Sequence, residues 1–575
     1  MGQGATVRCM PGRRVLLRAG AAAVAMPLLG ACSRHGAPDV LPPDVPGGFV
    51  GGASPERGHR LRERRKSGAP EAPAVTRRVA TVIAGGGIAG LAAARALRLA
   101  GHDDFALLEQ EDAAGGNSRA GKLLGSAGAA ALPCPLGAHY LPVPPETARA
   151  VLDFLDECGV CRWELGRRVW DERYLCHSPQ ERVYYNSGDG PRWHPGLLPV
   201  DGMAPGTIEQ YRRFGERIAA LRASGAFRLP RLGLAHEPTH PAVLQPLDAL
   251  SFSAWLDREG FDDRWLRAYL DYCCRDDYGA GITIVSARAG VHYFASRHGF
   301  AAPEDTGGDA ERDAVLTWPE GNGWLAARLA ARLGARLISG VTVERIGLRH
   351  GGGVEVDGWV HAHSRRERWL AARCVVALPV FVAARVLESP PPALLAYARR
   401  LRHAPWIVVN ARLTRALDDR PGAAPAWDNV VHGSAGLGYV SANHQALDPA
   451  PHASPQVITW YLAPGLDAAT RQAVLTQPWQ HWAGRMLAEL GPVHPDLSGK
   501  LERVLVTRYG HAMAVPEPGI MGFFETAANK IAHEQLSNLN SFGPLRFAHA
   551  DWAGYSIFEE AFSAGDRVVR EWRSA

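Results

Sequence analysis

The stretch VIAGGGIAGLAAARALRLAGHDDFALLEQ, Val82–Gln110, decides the fold. An apolar run ends in Gly85, Gly87 and Gly90, a helical pattern runs from Ile88 to Ala100, and a second apolar run from Phe105 closes on Glu109. Strand, turn, helix, strand and acid in that order predict a βαβ unit whose turn cradles a dinucleotide pyrophosphate. Gly85 permits the tight turn, Gly87 lets backbone amides approach the anion, and Gly90 lets the helix close on the strand. The helix opening at Ile88 and Ala89 offers unpaired N–H groups and a positive dipole end to the phosphates. Glu109, 19 residues after Gly90, is placed to accept from ribose hydroxyls, and its charge disfavours a 2′-phosphate.

Downstream, LLEQEDAAGGNSRAG and PLGAHYLP resemble the flavin-containing amine oxidase superfamily. There the ribose acid is followed by a Gly-Gly-Arg element, whose place is taken here by Gly115, Gly116 and Asn117. Asn117 stands where the family carries an arginine near the flavin phosphates, so Arg119 is expected to supply the charge. Gly137, Ala138, His139 and Tyr140 resemble the family's turn beside the isoalloxazine ring. At the other end, RFAHADWAGYSIFEEAFSAGDRVV resembles the family's closing motif. Asp551 corresponds to its acid for the ribityl chain or phosphate, and the helix start at Ile557 and Phe558 to the segment facing flavin N1 and O2. A helix N-terminus there would stabilise the negative charge of reduced flavin. The strand GVTVERI resembles the one that meets the adenine, through Val343. The resemblance implies non-covalently bound FAD, because the closing motif has no cysteine for a thioether, and no metal.

One departure bears on mechanism. Many relatives hold a water at flavin N5 with a lysine of the substrate domain. Here the lysines are Lys66, Lys122, Lys500 and Lys530, with none from 123 to 499. Oxygen is therefore one candidate acceptor and a quinone or redox partner another. For acid–base chemistry His139 and Tyr140 are best placed by motif; flavin oxidation of an amine requires little beyond a neutral nitrogen. RDDYG (Arg275–Gly279), His292, Tyr293, Trp318, Trp324, Trp406, Asn410, Tyr509 and His511 carry further polar or aromatic groups on the expected substrate side.

The remaining chain sets context. The formal charge of +5 includes Arg8, Arg13, Arg14 and Arg18 in the first 31 residues; without them the body is near neutral, which gives no electrostatic footprint for nucleic acid. PGRRVLLRAGAAAVAMPLLGACSR resembles a twin-arginine export signal ending in a lipobox, with Cys32 as the lipidated residue. It implies a periplasmic or cell-envelope protein, with membrane attachment through a lipidated Cys32. Besides Cys9 and Cys32, the seven cysteines of the body lack the spacing of a disulfide framework or zinc site.

The alternation of patterns predicts an α/β protein: a Rossmann-like FAD-binding domain assembled from three chain segments (76–150, 316–390 and 511–575), with an interleaved mixed α+β substrate domain (151–315 and 391–510). An export signal (1–31) and a solvated tether (32–75) precede them. The expected activity is two-electron oxidation of a small organic substrate, an amine first, by hydride transfer to flavin N5. Carbon–carbon dehydrogenation of the desaturase or porphyrinogen-oxidase kind, and a non-catalytic electron-transfer or assembly flavoprotein, are the alternatives.

Overall fold

A computed structural model describes residues 41–66, 72–231, 240–297, 299–303, 314–445, 450, 452–525 and 543–574. The export signal and Cys32 lie outside the described residues.

Two large sheets organise the chain. The first contains parallel strands in the order Leu337–Ile338, Phe105–Leu108, Val75–Ala84, Arg365–Val376 and Leu545–Phe547, so three separated stretches of sequence supply one sheet. Val341–Leu348 and Val354–Val360 continue it as an antiparallel meander against Arg365–Ala371. The interior runs Val82–Ala84 and Phe105–Leu108 are buried on both faces, as a covered parallel sheet requires. On one face the helix Ile88–Leu99 packs with the C-terminal helix Phe558–Ser574 and the helix Arg149–Glu157 around Leu91, Leu155 and Phe562. Ala and Leu dominate the first helix because it is buried almost all round, from Ile88 to Leu97.

The second sheet has eight strands in the order Gly47–Phe49, Leu501–Ala514, His403–Leu413, Gln456–Leu462, Tyr439–Ser441, Asp428–Val431, Glu181–Asn186 and Pro191–Pro195. Against it lies a helical lobe built from Pro205–Ala223, Phe252–Glu259, Arg264–Tyr278 and Ala287–Ala295, with Phe214, Phe252, Trp255 and Phe294 at its centre. No described helix is long and apolar enough to cross a membrane.

Three expected boundaries are corrected. Residues 47–66, read as part of a tether, form the edge strand Gly47–Phe49, which pairs in parallel with Val504–Val506, and the helix Pro55–Lys66. The basic run is held because its arginines meet carboxylates: Arg57 reaches Asp112 at 2.7 Å, and Arg60 reaches the buried Glu344 at 3.0 Å while stacking 3.5 Å over Trp359. The helix Arg149–Glu157 packs its apolar face on the C-terminal helix and so belongs with the first sheet, although most of it falls in the expected substrate-domain segment 151–315. Residues 511–514 end a strand of the second sheet rather than opening the last cofactor segment.

Candidate active site

Between the two sheets runs a channel of ≈ 820 Å³. Its floor is the glycine turn. Gly85 takes φ +102°, and a Cβ at Gly90 would come to 1.9 Å from the Gly85 carbonyl, so both positions admit only glycine. Gly87 precedes the helix with no side-chain cap, which leaves the first amides, at Ile88 and Ala89, directed at the channel. A Cβ on Gly87 would touch nothing: space for an anion lies over it.

Glu109 lines the channel with both oxygens partly engaged, accepting from Gly86 N at 2.9 Å and Glu111 N at 2.8 Å. Burial pushes its carboxyl up, while the two amides and Arg119 oppose that shift. Each oxygen keeps a lone pair for a ribose hydroxyl. Val343 lines the neighbouring wall at the irregularity that interrupts its strand pairing.

Gly116, Asn117 and Arg119 follow. Asn117 Nδ2 donates to Ala512 O at 2.7 Å, tying the turn to the second sheet. The Arg119 guanidinium is turned to backbone carbonyls, donating to Gly116 at 3.0 Å and to Gly52. Its charge thus sits in the channel wall and anchors the N-terminal segment. The helix Pro55–Lys66 contributes Gly58, His59, Leu61 and Arg62 to the same end of the channel.

Asp551 is fully buried in the wall. Its Oδ2 accepts from Val380 N at 2.9 Å and lies 3.0 Å from His403 Nε2. Burial alone would push the carboxyl up; the His549 and His403 imidazoles outweigh it and hold the group well below the usual range. Oδ1 lies 3.1 Å from His549 Nδ1, but that nitrogen accepts from Asp551 N, so the buried oxygen has no donor and a ribityl hydroxyl would satisfy it. With free amides over Gly87, Glu109 and Asp551 spaced along one channel, the residues fit FAD. Ile557 and Phe558, at the start of the last helix, line the channel's other end.

Gly137, Ala138, His139 and Tyr140 also line that end. The turn is clamped from the second sheet by Tyr509, whose hydroxyl donates to Leu136 O at 2.9 Å, and by Tyr461, donating to Gly137 O at 3.2 Å. His139 stacks on Tyr461, ring centroids 4.4 Å apart, and Trp427 lies 5.6 Å from it and 5.7 Å from Tyr140. Burial lowers the His139 imidazole to about 3, so it is neutral. Tyr140 donates to Asp276 Oδ2 at 3.4 Å; burial first, then the neighbouring Asp276 and Asp277, holds its phenol well above the ordinary value. Asp276, Asp277, Arg297 and Glu559 border the same space.

Of the further residues singled out in the sequence, Trp406, Tyr509, His511 and the RDDYG aspartates line the channel. His292 is instead held in the helical lobe by Ser296 and Arg228 O, Asn410 bonds Pro135 O and Thr459, and Trp318 and Trp324 stack on each other in the core. Sequence reasoning missed Trp427, Tyr461 and Asp428: Tyr461 and Asp428 sit on strands and Trp427 immediately precedes one, and no local pattern there marks a site. Among the described residues no lysine lines the channel; Lys500 is buried against Ala416 O, Asp418 and Asp496.

A channel with free amides at one end and an enclosed aromatic pocket at the other, between a parallel nucleotide-binding sheet and a second sheet, defines an FAD-dependent oxidoreductase. The chain belongs to the family of flavin containing amine oxidoreductases, whose profile matches residues 88–571. It is 28% identical over 397 residues to a putative flavin-containing monoamine oxidase, AofH, of Mycobacterium tuberculosis, covering 68% of this chain and 75% of that protein. In fold it resembles a redesigned double mutant of putrescine oxidase (TM-score 0.61, 18% identity, 87% of this chain and 100% of the other). It also resembles cyclohexylamine oxidase from Brevibacterium oxydans (TM-score 0.58, 15% identity, 86% of this chain and 100% of the other). The protein is an enzyme that uses FAD and acts on a small molecule, which sets aside the electron-carrier reading.

Proposed function

We propose that the protein oxidises an amine, with FAD spanning the channel from Glu109 to Ile557. The observation that carries this reading is the aromatic wall of His139, Tyr140 and Tyr461, with Trp427 behind it, beside the carboxyl of Asp276. Aromatic faces and a carboxylate together attract an ammonium and then present its neutral amine in a dry site.

In this reading Gly85, Gly87, Ile88, Ala89 and Gly90 hold the pyrophosphate by backbone amides, Glu109 the ribose, Val343 the adenine and Asp551 the ribityl chain. Gly116, Asn117 and Arg119 shape the turn over the phosphates. FAD, when bound, would accept the hydride, which carries the two electrons. The amides at Ile557 and Phe558 direct partial positive charge at the pole where negative charge then gathers. His139, being neutral, orients the substrate by stacking rather than by proton transfer, and Tyr140 fixes Asp276. Oxygen is the acceptor the family suggests, with a quinone the alternative.

Anaerobic bleaching of the purified flavoprotein by a panel of alkyl and aryl amines, apolar alkenes and a porphyrinogen tests the reading. Reduction by amines alone is expected; reduction by alkenes or porphyrinogen with amines inert overturns it in favour of carbon–carbon dehydrogenation. We further propose that residues 1–31 direct twin-arginine export and that Cys32 is lipidated. The mass of the mature N-terminus, in wild type and in Arg13→Lys/Arg14→Lys, tests both.

A further inference from the structure

The hairpin formed by the strands Cys161–Glu164 and Arg167–Trp170 carries an apolar stripe outward past the edge of the core. At its base Cys161 and Trp170 stand opposite each other, buried with the helix Ile88–Leu99. Two residues on, and so on the same face, Trp163 is 61% exposed, and at the turn Leu165 is fully exposed.

The turn runs against local preference. Leu165 (φ +47°) and Gly166 (φ +78°) are its two central residues, both left-handed, a geometry in which Asn-Gly is the usual pair. A leucine there bears backbone strain and a wetted apolar side chain together, and its exposure means that no packing within the fold repays either. Basic groups frame the same tip. Arg162, Arg167 and Arg168 stand against Glu164, which Arg162 engages at 2.7 Å. Arg168 lies 5.5 Å over the Trp163 ring and reaches Glu146 only at 3.6 Å. Arg167, opposite Glu164 across the hairpin, makes no ion pair among the described residues.

Indole and leucine side chains suit the headgroup boundary of a bilayer, and guanidinium groups suit its phosphates. We propose that this hairpin docks the protein on an anionic phospholipid surface, with Trp163 and Leu165 entering the headgroup boundary and Arg162, Arg167 and Arg168 held at the phosphates. Two other occupants fit worse. A folded partner needs about 800 Å² on each side, far more than two apolar side chains at a turn present. A second copy across a two-fold axis would set the same arginines against themselves. The contact adds to an acyl chain on Cys32 and does not require one.

The test mixes the flavin-loaded full chain with vesicles of phosphatidylcholine alone, or of phosphatidylcholine with phosphatidylglycerol, at low and high salt. Co-sedimentation measures binding and hydrogen exchange localises it. Wild type is expected to bind the anionic vesicles at least about 10-fold better than the neutral ones, less so at high salt, and to gain protection at residues 161–170. Trp163→Thr/Leu165→Asn is expected to lose that protection and most of the anionic-vesicle binding while keeping its flavin. Asn suits a left-handed turn, so Leu165→Asn alone is expected to match or exceed wild type in Tm. A lower Tm would show that Leu165 serves the fold, and overturns the proposal. So does anionic-vesicle binding without protection at 161–170, which puts the contact elsewhere, or equal binding to both lipids. Self-association in sedimentation equilibrium that the double variant abolishes would overturn it in favour of a second copy.

Discussion

The α-carbon of Gly137 is set against the carbonyl of Asn117 so closely that a Cβ would come to 2.2 Å from that oxygen. The same carbonyl accepts from Ala138 N at 2.9 Å. The turn that shapes the flavin end is therefore locked to the turn that follows the phosphate site. Gly137→Ala must pry the two apart and is expected to lower flavin content at least about 10-fold, whereas Ala138→Gly at the next position is expected to retain the cofactor. The ratio of flavin to protein absorbance after gel filtration measures both.

Asp276 gives a signed dependence on pH. Its carboxyl is raised to about 7 in the fold, above an unfolded value of about 3.9. Between those values the unfolded chain has released the proton and the folded chain has not, so this residue makes stability fall as pH rises from about 4 to 7. Asp276→Asn, which keeps an acceptor for Tyr140, is expected to raise Tm by several degrees at pH 8 and to leave it unchanged near pH 4. Equal Tm values at pH 8 would show that the carboxyl is neutralised by something else.

Asp551 shows the opposite sign. Its carboxyl is depressed by two imidazoles against the effect of burial, so its contribution is present above the unfolded value and is lost as pH falls below about 4. Asp551→Asn removes the charge that His403 and the Val380 amide face, and about 3 kcal/mol of stability is expected to go with it at pH 7. Chemical denaturation of the flavin-loaded protein checks the figure, and the gap between wild type and variant should close toward pH 3.

How much of this was legible in the sequence follows from which interactions are local. Gly85, Gly87, Gly90 and Glu109 lie within one βαβ unit, where spacing alone fixes geometry; Gly85, Gly87 and Glu109 line the channel, and Gly90 closes the helix on the turn. Asp551 and Phe558 are far along the chain but carry their own short motif. The pairing of Glu181 with Asp428 spans nearly half the protein and depends on strand order, which no local pattern encodes. The helix Pro55–Lys66 was misread for a related reason. A run of arginines looks solvated until the carboxylates that receive it, Glu344 and Asp112, are brought from elsewhere.

That helix supports a prediction of its own. Arg60 ties it to Glu344 and stacks on Trp359, while Gly58 and Leu61 border the cofactor channel. Arg60→Ala removes a partly exposed ion pair and a cation–π contact, together worth about 1 kcal/mol. A small fall in Tm is expected, with a several-fold faster release of FAD, because Gly58, His59, Leu61 and Arg62 of this helix form part of the channel wall. Flavin fluorescence after dilution follows the release; an unchanged rate would mean that the helix does not gate it.

The last prediction concerns the acceptor. Many members of the family hold a water near flavin N5 with a lysine, and among the described residues no lysine lines this channel. The nearby imidazole, His139, is held neutral by burial and offers no positive charge to a developing superoxide. Single-electron transfer to oxygen creates an anion in a dry site, and without a cation its formation is slow. Reduced enzyme mixed with oxygen in a stopped-flow instrument is therefore expected to reoxidise at least about 10-fold more slowly than with an equal concentration of a soluble benzoquinone, which accepts two electrons and carries its own protonatable oxygens. Arg297, which lines the channel and pairs with Asp277 at 3.1 Å, is a cation that would reverse the expectation. Arg297→Met separates the cases. If oxygen reacts rapidly with wild type and slowly with this variant, the guanidinium has replaced the lysine; if both react slowly, the enzyme delivers its electrons to a quinone or a redox partner.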